Sequence, residues 1–142
     1  MQFKRKLGDE MTGVRDLKTL LKSMQPKLIK EEFVFCTVSE EFFSKIKIEP
    51  LLVFREEEGI TLVLEKKTAD ENTLSYSGTW ALISIGVHSD LSEVGFLAAM
   101  TKKLSDAGIS TNIVSAYYHD HILVPFEKAD RALGLLTELS HG

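Results

Sequence analysis

The chain has 142 residues, 44% of them hydrophobic and 27% charged, which fits one average domain or two small units that share a core. A net charge of −4 argues against nucleic acid, which selects a basic face, and the single cysteine, Cys36, excludes an intrachain disulfide. No apolar run approaches the ~20 residues that span a membrane, and the opening MQFKRKLGDE lacks the apolar stretch of a signal peptide, so a cytoplasmic chain is expected.

Residues 1–13 read as a flexible tail whose Lys4-Arg5-Lys6 cluster is solvated beside Asp9 and Glu10, with Met11 a candidate alternative start. Val14, Leu17, Leu20, Leu21 and Met24 recur at three- and four-residue spacing, which predicts a short amphipathic helix that Pro26 stops. FVFCTV (33–38) is aromatic and β-branched and reads as a strand, with Cys36 a small buried residue in it. FFSKIKI (42–48) is ambiguous, since its second half alternates while Phe42-Phe43 fits a turn of helix. LLVF (51–54) and TLVLE (61–65) form a hairpin across the polar REEEGI with its Gly59.

The polar stretch 66–79, KKTADENTLSYSGT, is the best internal boundary. After it, WALISIGVH (80–88) is a strand with Ala81, Ile83, Ile85 and Val87 on one face. Asp90 stands three residues before Glu93, with Ser92 a competing cap, and this marks a helix start. Val94, Leu97, Thr101 and Leu104 line the stripe of that helix, reinforced by Met100 and Ala107, and Gly108 ends it. ISTNIVSAYY (109–118) and HILVPF (121–126) are strands joined by a tight turn near His119-Asp120. A last helix runs from about Glu127 to about Leu139 with Ala129, Leu133 and Leu136 inward.

The C-terminal half is thus β-α-β-β-α, a split β-α-β unit short of one strand. Its open edge needs cover from the N-terminal half or from a second copy. The topology brings Ser89–Gly95 and His119–His121 to one edge of the sheet.

At these residues a family likeness emerges. The stretch VHSDLSEVGFLAAMTKKLSDAGISTNIVSAYYHDHILV resembles an ACT domain, the small-molecule-sensing module of amino-acid metabolism. The likeness rests on Gly95-Phe96-Leu97-Ala98 at the helix start and Gly108-Ile109 at its exit. Glu93-Val94-Gly95-Phe96 and Asp120-His121-Ile122-Leu123-Val124-Pro125 are similar to the regulatory ACT domains of aspartate kinases and to the tandem ACT domains of the cytosolic arginine sensors. Ser92 and Val94 stand where many ACT domains carry Asp and Pro. The resemblance implies an α+β fold of two ferredoxin-like (βαββαβ) repeats: a degenerate unit over 14–75 and an ACT domain over 76–142, paired as a homodimer.

It also implies that a free amino acid binds at the helix start, between ACT units. The residue chemistry agrees. Backbone N–H groups around Val94, Gly95 and Phe96 suit a carboxylate at a positive helix end, and Asp120 suits an α-ammonium group. Ser89 caps the helix or touches the ligand, and Glu93 answers the helix dipole or joins the site. Two plainer readings stand beside these: Gly95 as tight helix–sheet packing, and Asp120 as a turn residue bonding its own backbone.

His88, His119 and His121 with Asp120 form the sharper alternative, a metal centre or metal-dependent enzyme. It is the weaker reading, because a tight turn breaks the alternation that would aim the imidazoles together. No nucleophile elbow, phosphate loop or paired carboxylates occur, so no catalytic residue, metal or cofactor is expected. Tyr117 and Tyr118 alternate in the strand reading, which would send one to the core. The expected function is a non-catalytic regulatory module that binds an amino acid and acts on a protein partner. A ligand-free interaction module is the other alternative.

Overall fold

The computed structural model describes residues 17–87 and 94–142. Helix α1 (Leu17–Lys22) buries Leu20, and Met24 just beyond it is fully enclosed. Strand β1 (Pro26–Val38) begins at the proline that was expected to stop the helix. Ser39 then caps helix α2 (Glu40–Lys45) by accepting a 3.0 Å hydrogen bond from the Phe42 N–H. Glu40 and Glu41 lie in its first turn and Lys45 in its last, which resolves the ambiguous FFSK segment as helix. Strands β2 (Leu52–Arg55) and β3 (Ile60–Glu65) form the expected hairpin. The polar stretch after it opens with a further helix, α3 (Lys66–Glu71), which buries Ala69.

Strand β4 (Trp80–Ile85) follows, then α4 (Phe96–Asp106), β5 (Asn112–Ser115) and β6 (Asp120–Pro125). A 3₁₀ turn, Phe126–Lys128, leads into α5 (Ala129–His141). The strands make one six-stranded sheet in the order β2-β3-β1-β4-β6-β5, and every neighbouring pair is antiparallel.

Two ferredoxin-like units are merged in that sheet through a shared pair of strands. With 13 residues, β1 is about 43 Å long. Its second half, Phe33–Val38, pairs with β3, while Pro26–Ile29 and, past a register shift, Glu32 and Phe33 pair with β4. The register shifts between Ile29 and Glu32, a bulge within the β1–β4 ladder, while the other edge of β1 pairs with β3. The β-α-β-β-α half therefore gets its missing strand from the N-terminal half, and the open edge is covered.

Helices pack on one face only. Ala81, Ile83, Ile85, Ile122 and Val124 meet Leu20, Phe96, Met100, Leu104, Ala132 and Leu136 of α1, α4 and α5. Val34, Cys36, Ile60, Leu62 and Leu64 form a second core with Ala69 of α3 and Phe43 of α2. Burial pushes the Cys36 thiol up, which keeps it protonated and unreactive. Phe33 and Leu82 alternate with these core residues, so with Val63 and Leu123 they lie on the face without helices. All four are nevertheless buried.

Three local expectations change. The α4 stripe is Phe96, Met100 and Leu104, and Val94, expected on it, is 86% exposed ahead of the helix. The proposed caps Asp90 and Ser92 lie outside the described residues. Strand β5 is shorter than 109–118, because the Ala116 N–H bonds the His119 carbonyl at 3.0 Å and puts the turn at Tyr117-Tyr118. Both tyrosines are exposed and meet edge to face at 5.0 Å, so neither is a core residue.

Candidate functional site

The expected corner is formed by the entry to α4 and the β5–β6 hairpin. Gly95 precedes α4 with φ of +101°, a left-handed conformation that costs an L-residue strain and glycine almost none. A Cβ there would meet only a Leu17 methyl at 3.7 Å, an ordinary contact. The glycine thus answers a backbone angle and is not explained by tight helix–sheet packing. The Gly95 carbonyl accepts the first helical bond, from the Ala99 N–H at 2.9 Å. Phe96 is 2% exposed and belongs to the core, so it can contribute only its backbone N–H to a ligand.

Asp120 is not a turn residue. It opens β6 opposite Ser115 and is 5% exposed, one of two buried polar side chains among the described residues. Its neighbour His121 is half-buried across from Ser84, and the His121 Nδ1 and Ser84 Oγ are 2.9 Å apart. Burial holds the His121 imidazole below its ordinary range. Nearby His119 adds to that effect and Asp120 opposes it. The rings of His119 and His121 are 6.5 Å apart between centroids, at 77° to one another. Among the described residues no three His, Cys, Asp or Glu side chains group as metal ligands. Ser89, Glu93 and the third histidine, His88, lie outside the described residues.

The strand-by-strand reading missed a second feature. A cleft of about 620 Å³ lies on the face without helices, and all six strands contribute to its lining. Its floor is Phe33, Val63, Leu82 and Leu123. One end holds the Ser84–His121 pair and Val114, and Glu31, Glu49 and Glu65 also line it. A signal for it was present. LVL (62–64) and ILV (122–124) are apolar at three consecutive positions, which marks strands buried on both faces.

Two models of the ACT domain match the sequence, one over residues 12–81 and the other over 75–138. They overlap on the segment that enters β4, the strand both units use. A comparison with curated proteins finds no match. Among crystal structures, the chain is 44% identical to a Vibrio cholerae protein of unknown function, described as a possible transport protein. That match has a TM-score of 0.80 and covers 91% of this chain and 99% of that one. Escherichia coli aspartokinase III, solved with aspartate and ADP, is 15% identical at a TM-score of 0.62, covering 84% of this chain and 34% of that one. The regulatory subunit of Thermus thermophilus aspartate kinase is 13% identical at 0.58, covering 82% and 98%. The last two are likenesses of fold.

Proposed function

This chain belongs to the ACT domain family as a tandem of two units, and from that premise we propose that it is a non-catalytic regulatory module. Its ligand is a free amino acid, bound between ACT units at the entry to α4, and it signals through the arrangement of its subunits in a homodimer. The observation that carries this reading is the tandem itself, two merged ACT units over residues 12–138. The start of α4 supplies the chemistry. The helix-start backbone at Val94, Gly95 and Phe96 offers a positive end to a carboxylate, Ser89 and Glu93 border it in sequence, and Asp120 receives the α-ammonium group.

Edge strand β2 supports subunit pairing. Val53 and Phe54 are exposed there, Phe54 by 62%, with Leu51 exposed just before the strand, which has one side unpaired. This same patch favours the second reading, an interaction module that needs no ligand. Ligand and partner are coupled only if the amino acid binds one subunit arrangement more tightly than another.

Thermal unfolding of the dialysed protein against each of the twenty amino acids tests the proposal, with Asp120→Ala scored against its own unliganded midpoint. A ligand at ~100 times its dissociation constant stabilises by about 2.7 kcal/mol, a shift of several degrees at this size. A selective shift that the variant loses supports the sensor. No shift at millimolar concentration with any of them rejects it and leaves the interaction module.

A further inference from the structure

We propose that the helix-free face of the sheet is a second small-molecule site, separate from the entry to α4, and that its ligand is a hydrophobic amine. Such a ligand has an apolar body, one cationic nitrogen and no carboxylate.

The first argument is shape. A flat six-stranded sheet is about 24 Å wide and would leave its uncovered face wet. Here Phe33, Val63, Leu82 and Leu123 are buried on that face, and residues of both edge strands, Leu52 and Val114, line the same cleft. The sheet must curl around the cleft for both to hold. Its volume of about 620 Å³ lies within the ~300–1,000 Å³ of small-molecule sites.

Shape and charge also select against a second copy of the chain. Two concave faces set against each other enclose a void instead of making contact. A twofold axis would further bring the acidic rims of both copies together in a low-dielectric space.

Charge then defines the ligand. The lining carries three carboxylates, Glu31, Glu49 and Glu65, and no lysine or arginine. None of the three has an ion-pair partner among the described residues. Lys66 and Lys67 follow Glu65 directly, but they pair with Asp70 at 3.0 Å and Glu71 at 3.9 Å. The register sets Glu65 beside Phe33 at the edge of the apolar floor. An ammonium or guanidinium group meets the acids there while its apolar part covers Leu82 and Leu123. A zwitterionic amino acid would bring a carboxylate into the same field. His121 offers it no relief, because burial favours the neutral imidazole.

Phenethylamine and phenylalanine differ by that carboxylate and make the test. The full chain is titrated with each, following the methyl resonances of Val63, Leu82 and Leu123 and the fluorescence of Trp80, which packs on the same face. Phenethylamine is expected to shift these signals saturably, with phenylalanine at least about tenfold weaker. The double variant Glu31→Gln/Glu65→Gln is expected to weaken the amine about fivefold while its melting temperature stays unchanged. The proposal is overturned by no saturable change at millimolar amine, by equal binding of phenylalanine, or by a variant that binds like the parent. Methyl shifts that follow protein concentration instead of amine also overturn it, in favour of a self-associating face. Failure of every amino acid in the thermal panel leaves this site untouched, so the two readings fail separately.

Discussion

Phe96→Ala tests whether the ring at the entry to α4 is a core residue that leaves only its backbone to a ligand. Phe96 was expected to offer a ligand its backbone N–H, and its ring is 2% exposed among Met100, Leu104 and the β4 side chains Ile83 and Ile85. Removing a buried phenyl ring costs the lost transfer energy plus a cavity, together about 3–5 kcal/mol. The lower end applies here, because the exposed Val94 lies just ahead of α4 and its side chain can settle into part of the void. For a domain of this size, about 3 kcal/mol lowers the melting temperature by roughly 10 °C. Urea unfolding followed by Trp80, the only tryptophan, gives the same quantity independently. A loss below about 1 kcal/mol, joined to a lost response to amino acids, would refute the core assignment and make the ring a ligand contact.

Three other outcomes are expected. Gly95→Ala costs about 1–2 kcal/mol through its left-handed φ, and Gly95→Asn costs less; equal, negligible losses in urea would show that the angle is not required. His121 is held below its unfolded value near 6.5, so its contribution is complete above about pH 6.5 and is lost as pH falls through the folded pKa. Urea midpoints of the parent should therefore drop more than those of His121→Asn as pH falls below about 6.5, and parallel curves would contradict this. Phe54→Lys at the β2 edge should weaken a homodimer by about a hundredfold or more in sedimentation while the monomer keeps its fold, because burying a phenyl ring in each copy is worth about 1.5–3 kcal/mol. An unchanged association constant would move the interface elsewhere.

Local chemistry made much of this protein legible before any coordinates. Alternation in WALISI gave Ala81, Ile83 and Ile85 to the helix-packed face, and the missing strand of the C-terminal half was a deficit that had to be filled. Gly108 after α4 adopts φ of +76°, as a helix-ending glycine should. These features depend on neighbours within a few residues, and the sequence determines them by itself. The Asp120 environment was not legible. The turn register moved by two residues once Ala116 bonded His119, which placed the carboxylate in a strand and buried it.

Tertiary structure alone decided the division of β1 between two partners and the curl that encloses the cleft. Both depend on pairings between residues far apart in the chain, such as Phe33 with Glu65 and Leu28 with Ile83. A strand's own sequence shows that both of its faces are apolar, as in LVL and ILV. It does not show whether a helix, a second sheet or a ligand covers the second face, because that is set by how the whole sheet twists and closes.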